Sequence, residues 1–317
     1  MIYNALGNSG LIVSKFSLGT WLNFDSMNSS GSESTLFKNA FNEGVNFFDT
    51  ADSYGDAEIV LGKALKKFPR KDVVVSTKVF FGSDFPNRSG LGKKHLIHSV
   101  EESLKRLNME MLDLLYLHRF DNNTPLEETL LTINQLISQG KILYWGVSRW
   151  SKIQLEQAIE ICDRFQYPKP IAYQDVYNLF NYTSGGDEFV GYLKKNGIGL
   201  VGYSPLARGV LTNKYKNTIP INSRAANDDY AKFMYDLTEE KIKSVQLLEP
   251  LSKKYKCTVA QLVTSYLYSK NIESLVFGFS YVSQFQEIIK SKDITLESES
   301  INEIKNIFKN YNYDKSL

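Results

Sequence analysis

Short runs of β-branched and aliphatic residues alternate along this chain with longer segments whose apolar residues recur at helical spacing. Such alternation is typical of strands that lie parallel in one sheet, because a helix must return the chain between them. Eight runs have the length and composition of strands: Lys15–Leu18, Asn46–Asp49, Val73–Lys78, Leu112–His118, Leu143–Ser148, Ala172–Val176, Leu200–Ser204 and Ser274–Phe277. Eight parallel strands predict an α/β fold of the (β/α)8 TIM-barrel type.

The intervening segments predict helices at Glu33–Glu43, Ala57–Lys66, Lys93–Leu107, Leu126–Ser138, Ser151–Phe165, Glu188–Lys195 and Glu239–Lys254. A last helix is expected from Leu296 onward. The pattern around Gly7-Asn8-Ser9-Gly10 predicts an N-terminal hairpin that closes the barrel floor. The polar stretch 207–236 predicts an irregular segment after strand seven, of a length usual for a functional lid or a disordered loop.

Composition limits the function classes that remain. With 317 residues and 43% hydrophobic content, the chain can bury one large core, so residues 1–317 are expected to form a single domain. Lys plus Arg (37) nearly cancels Asp plus Glu (35), which disfavours nucleic acid and membrane partners. The N-terminal residues lack a signal-peptide pattern, so we expect a cytoplasmic protein. The two cysteines, Cys162 and Cys257, have no metal-site spacing and are expected to be buried thiols.

Three predicted strands end on residues that carry acid–base chemistry. Asp49 closes the second strand, Lys78 the third and His118 the fourth, while Tyr54 follows the second strand in NFFDTADSYG. Because the carboxyl ends of barrel strands open into one mouth, these four side chains are expected to meet there. A phenol beside an ammonium, a carboxylate and an imidazole suits proton donation to a substrate oxygen.

Each of the four residues also has an ordinary structural interpretation. Asp49 and Lys78 would suit a buried ion pair, Tyr54 a surface turn, and His118 a hydrogen-bonded core position. The sequence leaves these alternatives open for any one residue. The combination favours a site, because barrel closure gathers the ends of strands that helices separate.

The expected neighbour of Tyr54 matters because a free phenol has a pKa of about 10. An ammonium about 4 Å away favours the phenolate by roughly 4 kcal/mol at an effective dielectric constant near 20, or about three pKa units before desolvation opposes it. We therefore expect Lys78 to bring the pKa of Tyr54 towards neutrality. Asp49 would keep Lys78 charged, and His118 would hydrogen-bond the oxygen that gains negative charge.

A dinucleotide-binding fingerprint, Gly-x-Gly-x-x-Gly, occurs at Gly197, Gly199 and Gly202. It precedes and overlaps the seventh predicted strand, whereas the functional fingerprint follows a strand and opens a helix. We therefore interpret these residues as turn glycines.

A series of segments in order spans nearly the whole chain: LGNSGLIVS, LGTW, NFFDTADSYG, AEIVLGKAL, GKILYWGVSRW, YSPLARGVLTNKY, IPINSRA and FGFS. In these segments the chain resembles the aldo-keto reductases, and within them the branch of voltage-gated potassium channel β-subunits and their bacterial reductase relatives. The resemblance implies a (β/α)8 barrel that binds NADPH or NADP and reduces aldehydes or ketones, without a metal. It assigns Tyr54 as general acid, Lys78 as its pKa partner, Asp49 as the orienting carboxylate and His118 as the hydrogen-bond donor to the carbonyl.

The same resemblance implies residues for the cofactor. The nicotinamide end would contact Thr20, Trp21, Asp49, Ser148, Arg149, Gln174 and Tyr203. The phosphates would lie along Ser204, Pro205, Leu206, Ala207, Arg208, Lys214 and Arg224, and the adenosine end along Gly278, Ser280, Gln284 and Glu287. Arg224 is the candidate for the 2′-phosphate, because a guanidinium fork suits a dianion, and this favours NADP over NAD.

Three positions depart from patterns within the family. Ile288 stands where an adenine-binding Asn is usual, and Arg149 stands where many reductases carry Asn, although Arg fits the channel-subunit branch. His118 stands where channel-associated members often have Asn. The complete set of four therefore favours turnover.

Two roles follow from the resemblance. The first is an NADPH-dependent reductase of a small-molecule carbonyl substrate, with a pocket drawn from Trp21, Phe80, Phe81 and residues beyond Ala207. The second is an auxiliary or redox-sensing subunit that binds NADPH with little turnover and acts on a partner such as a potassium channel. By analogy alone, the branch also implies a homotetramer. The sequence does not identify the carbonyl substrate.

Overall fold

The computed structural model describes residues 1–21, 32–181, 186–221, 223–227 and 237–311, without the side chains of residues 32, 33, 224 and 227. The strands in these ranges are β1 Tyr3–Ala5, β2 Ile12–Ser14, β3 Phe16–Gly19, β4 Phe47–Asp49, β5 Val74–Val79, β6 Leu112–Leu117, β7 Ile142–Ser148, β8 Ala172–Val176, β9 Gly199–Tyr203 and β10 Ser274–Phe277. The α-helices are α1 Ser32–Asn42, α2 Ala57–Leu65, α3 Lys93–Leu107, α4 Leu126–Ser138, α5 Lys152–Phe165, α6 Gly186–Lys195, α7 Arg224–Asn227, α8 Glu239–Gln246, α9 Glu249–Lys254, α10 Val259–Tyr268, α11 Val282–Ile288 and α12 Ser298–Ile307.

Strands β3 to β10 form a closed barrel of parallel strands, in the order β10-β3-β4-β5-β6-β7-β8-β9. Helices follow the strands around the outside, so the predicted (β/α)8 fold is confirmed. The predicted strand bounds agree with the observed ones to within one residue at each end. Agreement of this kind is expected where both faces of a strand are buried, because the apolar run then covers the whole strand.

The alternation of side chains along each strand decides which residues reach the barrel interior. On β5, Val74 packs in the interior cluster, whereas Val75 and Val79 pack in the outer core beneath the helices. Ser76 and Lys78 share the face of Val74 and bond to a carboxylate inside the barrel. The period of two therefore directs the side chains of Ser76 and Lys78 into the upper interior of the barrel.

The N-terminal hairpin closes the lower end of the barrel, as predicted. Strands β1 and β2 pair antiparallel, and Leu6 and Val13 are fully buried in the interior cluster beside strand residues. The hairpin lies so close to the barrel that a Cβ on Gly7 would stand 2.4 Å from the carbonyl oxygen of Gly197. A Cβ on Gly199 would likewise stand 2.5 Å from the Gly7 nitrogen. Gly7 and Gly199 therefore permit close approach of the hairpin backbone to the barrel floor.

One helix prediction was wrong. The predicted helix Glu239–Lys254 is two helices, α8 and α9, because Pro250 lies in the first turn of α9 and cannot continue the hydrogen bonds of a preceding helix. Helix α10 was not predicted. Nine of its ten residues are buried, so it lacks the polar stripe that marks an amphipathic helix.

The segment after β9 is partly regular. Residues Ala207–Thr212 form 3-10 turns with a break at Arg208 and Gly209, and Arg224–Asn227 form the short helix α7. Residues 222 and 228–236 of the predicted irregular segment lie outside the described residues. Cys162 is buried as expected, whereas Cys257 is half-buried and corrects that expectation.

Among the helices of the described ranges, none is both long and apolar enough to cross a membrane. The described residues also contain no group of three or more His, Cys, Asp and Glu side chains placed to hold a metal ion.

Candidate active site

A buried ion pair forms the base of the barrel mouth. Lys78 Nζ donates to Asp49 Oδ2 at 2.5 Å and to the Thr50 carbonyl oxygen at 2.7 Å. Asp49 Oδ1 accepts from Ser76 Oγ at 2.7 Å and from Gln174 Nε2 at 3.0 Å. The side chains of Lys78 and Asp49 are only 1% and 5% exposed. Because β4 and β8 lie opposite each other, the Gln174 contact spans the barrel and fixes the carboxylate from both sides.

Tyr54 lies over this pair, in the segment that follows β4. The Lys78 ammonium is 4.9 Å from the centroid of the Tyr54 ring. The local backbone holds Tyr54 in a turn, since its N–H donates to the Ala51 carbonyl and its carbonyl accepts from Ala57 at the start of α2. The structure therefore brings the phenol, the ammonium and the carboxylate together as the sequence predicts.

The expected net fall in the pKa of Tyr54 is not found. Burial raises the pKa of Tyr54; the Lys78 charge opposes this, but the Asp49 charge reinforces it. Burial would lower the pKa of Lys78, but Asp49 and Tyr54 together raise it. The prediction was wrong because it set aside desolvation and the carboxylate that offsets the ammonium. Tyr54 is thus protonated at neutral pH, as a proton donor must be, beside a cation that lessens the cost of losing the proton.

His118 stands directly after β6 with its ring against Tyr54. The two ring centroids are 6.0 Å apart in an edge-to-face arrangement. Burial, Lys78 and Arg119 lower the pKa of His118 to about 2, so the imidazole is neutral across the physiological range. Its buried Nδ1 has no hydrogen-bond partner among the described residues. A buried polar atom without a partner is costly, which fits a site that a bound molecule completes.

Aromatic rings line the mouth above these four residues. The Trp21 ring lies 6.3 Å from the Tyr54 ring, and Phe81 packs edge-to-face on His118 with a centroid distance of 5.0 Å. Phe80 in turn packs edge-to-face on Phe81 at 5.2 Å. The predicted pocket residues therefore adjoin the acid–base group as an aromatic wall in two parts, Trp21 beside Tyr54 and Phe80 with Phe81 beside His118.

The residues assigned to the nicotinamide end surround the same mouth. Thr20 and Ser148 are 2% exposed at the ends of β3 and β7. Thr20 donates to the Asp49 carbonyl oxygen through its N–H. Arg149 adopts a left-handed backbone with φ of 57° and places its Nε 3.9 Å from Asp175 Oδ1. Tyr203 ends β9 half-buried, at the lip of the barrel.

The loop after β9 has the features of a ligand clamp. Ser204, Ala207, Arg208 and Gly209 all have positive φ, between 45° and 96°. Non-glycine residues in this region are strained by about 1–3 kcal/mol each, and such strain concentrates at ligand-binding loops. A Cβ on Gly209 would lie 2.6 Å from Nζ of Lys214, so this ammonium rests directly on the loop.

The loop also carries cations towards the mouth. The Arg208 guanidinium lies 5.4 Å from the Trp21 ring centroid, which ties the loop to the aromatic wall. Pro205 is buried and Leu206 packs against the core, so the loop is anchored from beneath. Arg224 begins α7, and its side chain lies outside the described residues. Arg149, Arg208 and Lys214 thus supply positive charge along one rim, which fits an anionic dinucleotide.

The residues assigned to the adenosine end form the β10–α11 turn. Gln284 Oε1 accepts from the Ser280 and Tyr281 N–H groups and so holds the turn that begins at Gly278. Glu287 accepts from Thr258 Oγ1 at 2.7 Å, at the start of α10. Ile288 is 3% exposed and packs in the outer core, so its departure from the family pattern replaces a polar group with a core side chain.

The sequence reasoning missed three residues of this site. Ser76 donates to Asp49, and its position two residues before Lys78 on the same strand face was the available signal. Asp175 partners Arg149, and no sequence signal identified it. Arg119 follows His118, and its guanidinium lies 5.5 Å from the Phe81 ring centroid.

A second buried acidic cluster lies behind the mouth. Glu58 is fully buried and accepts from Thr77 Oγ1 at 2.6 Å and from Arg106 Nε at 2.7 Å. Burial and the neighbouring Glu58 charge raise the pKa of Asp52 to about 7. Asp52 donates its N–H to the Lys78 carbonyl oxygen, so this cluster adjoins the strand end that carries Lys78.

Comparisons with known proteins agree with this geometry. The profile of the aldo/keto reductase family matches residues 15–309. A protein of Arabidopsis thaliana named a probable voltage-gated potassium channel subunit beta is 39% identical over 301 residues, covering 93% of this chain and 92% of the relative. A protein with the same name from Oryza sativa subsp. japonica is 38% identical over 301 residues, with the same coverage of both chains. With matches that extend over nearly its whole length, this chain belongs to the aldo/keto reductase family.

Proposed function

We propose that this protein reduces aldehydes or ketones to alcohols with NADPH, and that residues 1–317 act as one barrel domain. The observation that carries the proposal is the convergence of Tyr54, Lys78, Asp49 and His118 at one end of the barrel. Three neighbouring strands, β4, β5 and β6, position Asp49, Lys78 and His118 at their carboxyl ends. Membership of the aldo/keto reductase family supports an oxidoreductase.

In this proposal, the roles of the four residues follow from their charge states. His118, neutral because its pKa is about 2, donates a hydrogen bond to the carbonyl oxygen. Tyr54 gives its phenolic proton to the same oxygen as negative charge develops there. Lys78 stabilises the phenolate left behind, and Asp49 keeps Lys78 charged and in position. NADPH, when bound, supplies the hydride that reduces the carbonyl carbon.

The rim residues are proposed to hold the cofactor. Thr20, Trp21, Ser148, Gln174 and Tyr203 would surround the nicotinamide, where Tyr203 offers a ring for stacking worth about 0.5–1.5 kcal/mol. The strained loop and its cations would hold the phosphates. The β10–α11 turn would hold the adenosine.

The choice of NADP over NAD rests on Arg224. Its guanidinium would pair with the 2′-phosphate, which NAD lacks. Arg224 begins α7, on the same excursion from the barrel as the strained loop. This position supports the assignment, which a measurement of cofactor preference tests.

A second candidate function is favoured by the names of the relatives. Both are named probable voltage-gated potassium channel subunits beta and cover more than nine-tenths of this chain. An auxiliary or redox-sensing subunit would bind NADPH tightly, turn over rarely and contact a channel. We also propose that this protein is cytoplasmic, as its N-terminal sequence suggests, and a homotetramer by analogy with the channel-subunit branch.

One experiment separates the two functions. Purified protein is first analysed for the nicotinamide that copurifies with it. NADPH is then added with a panel of aldehydes, and the loss of nicotinamide absorbance is followed. Many turnovers per site support the reductase, whereas tight NADPH binding with at most one slow turnover supports the sensor. Failure to bind NADPH contradicts both.

A further inference from the structure

Arg119 occupies a position at the mouth that the proposed reaction does not use. It follows His118 at the end of β6, and its Nη1 donates to the His118 carbonyl oxygen at 2.5 Å. Its guanidinium carbon lies 5.5 Å from the centroid of the Phe81 ring. The same ring packs edge-to-face on the His118 imidazole at 5.0 Å. The guanidinium and the imidazole therefore both lie near the Phe81 ring.

The packing also limits how far the guanidinium can move. A cation held against an aromatic face is stabilised by about 0.5–2 kcal/mol. The hydrogen bond from Nη1 to the His118 carbonyl oxygen fixes one edge of the Arg119 guanidinium. The side chain is also half-buried, so less conformational freedom remains to be lost when a substrate binds. Arg119 is thus a pre-organised cation beside the proposed carbonyl site.

The charge of Arg119 lacks a carboxylate partner within the described part of the chain. Asp49 is engaged by Lys78 at 2.5 Å. Asp175 Oδ1 lies 3.9 Å from Arg149 Nε. No ion pair to Arg119 within 4.0 Å occurs among residues 1–21, 32–181, 186–221, 223–227 and 237–311. Burial lowers the pKa of Arg119, and the charge of Asp175 opposes this fall without reversing it.

From this arrangement we infer that Arg119 determines substrate specificity by pairing with a carboxylate on the carbonyl substrate. This inference rests on the proposed reductase function. A planar guanidinium can donate two parallel hydrogen bonds to one carboxylate of opposite charge, and burial strengthens this ion pair. The substrate class is therefore an aldehyde or ketone that carries a carboxylate. Its carbonyl oxygen would reach Tyr54 and His118, while its carboxylate would reach Arg119.

Two matched substrate pairs test this inference. Succinic semialdehyde and butanal share a four-carbon chain and differ in the carboxylate. 4-Carboxybenzaldehyde and benzaldehyde provide a rigid pair with a longer spacing. With NADPH saturating, wild-type protein is expected to show a kcat/KM at least about 10-fold higher for the carboxylated member of one pair, a factor typical of a hydrogen bond to a charged group.

Substitution of Arg119 then identifies the group responsible. In Arg119→Met, kcat/KM for the preferred carboxylated aldehyde should fall about 10- to 100-fold, mainly through KM, while kcat/KM for its neutral partner stays within about threefold. For Arg119→Lys, kcat/KM for the carboxylated aldehyde should lie between the values for wild type and Arg119→Met, since lysine keeps the positive charge but lacks the planar paired donors of a guanidinium. Arg164→Met is the matched control, because Arg164 is an exposed arginine paired with Glu127 on the outer helices.

Each remaining outcome has a distinct meaning. Equal kcat/KM within both substrate pairs, or an equal loss on both members in Arg119→Met, overturns the inference while leaving the reductase intact. A matching loss of NADPH affinity in Arg119→Met, measured by nicotinamide fluorescence, assigns Arg119 to the cofactor and also overturns it. Absence of turnover for all four aldehydes in wild-type protein contradicts the reductase itself, and the inference falls with it.

Discussion

Removal of Asp49 should expose the energetic cost of the charge that it neutralises. Lys78 is 1% exposed and Asp49 5% exposed, so neither partner can regain water when the other is lost. Loss of one partner of a buried pair costs about 3–5 kcal/mol. For 317 residues, an unfolding entropy of about 2.1 cal/mol/K per residue converts this cost to a fall in Tm of about 4–8 °C. Asp49→Asn and Lys78→Met should each show a fall of this size.

The double variant Asp49→Asn/Lys78→Met should recover most of the lost stability. Replacing both members of a buried pair is often neutral or stabilising, because no charge is then left unpaired. Its Tm should therefore lie within about 2 °C of wild type, and the cycle should give a coupling free energy of about 3 kcal/mol or more. If the proposed reaction is correct, this variant should not reduce aldehydes, because the ammonium beside Tyr54 is absent.

The pH dependence of the single variants gives an independent check. In Asp49→Asn, burial without the carboxylate should depress the pKa of Lys78, so the folded state binds fewer protons than the unfolded state and stability should rise as pH increases from 6 to 9. Lys78→Met has no buried ammonium at this position, so its stability should lack this rise between pH 6 and 9.

Thermal unfolding by circular dichroism, with and without saturating NADPH, measures these quantities. Glu102→Gln is the control, because Glu102 and Lys105 form an exposed pair at 54% and 71% exposure whose loss should shift Tm by less than about 1 °C. Destabilisation in the double variant equal to the sum of the two single variants would refute the reasoning, since it would show that the two charges do not compensate each other.

Three further predictions concern the remaining charged groups. Burial raises the pKa of Asp52 to about 7 from 3.8, so wild-type protein should lose up to about 4 kcal/mol of stability relative to Asp52→Asn as pH rises from 4 to 7; parallel stability curves for the two proteins would contradict this. The pKa of His118 is about 2, so this imidazole should produce no change of kcat/KM with pH near 6.5. A change of kcat/KM near pH 6.5 that is present in wild-type protein and lost in His118→Asn would show that the imidazole titrates normally. Arg224→Leu should weaken NADPH at least about 10-fold more than NADH in fluorescence titrations, and unchanged preference would remove the basis for naming NADP.

The barrel could be predicted because its strands are buried on both faces. Runs such as Ala172–Val176 and Ser274–Phe277 are strands with the bounds that the sequence indicated. The same burial made α10 unpredictable, because a helix covered on all sides loses the period that reveals it. Pro250 was the visible signal for the break between α8 and α9 and should have divided the predicted helix.

The site could be predicted as a set of residues but not as an electrostatic environment. Strand ends located Asp49, Lys78 and His118, because barrel closure follows from the strand count. The direction of the pKa shift of Tyr54 depends on how much water burial removes, which no local sequence pattern contains. The unpaired charge of Arg119 likewise becomes visible only when the positions of Asp49 and Asp175 are known.

The central claim is that Tyr54 donates a proton to a substrate oxygen, and Tyr54→Phe tests it most directly. Phenylalanine keeps the ring that packs against Trp21 and His118 and removes only the hydroxyl group. The measurement is kcat/KM for an aldehyde that wild-type protein reduces, together with the Kd for NADPH on the same preparation. We predict a loss of kcat/KM of about 100-fold or more with the Kd for NADPH within about twofold of wild type. Aldehyde reduction at a wild-type rate, or an equally steep loss of NADPH affinity, would contradict the claim.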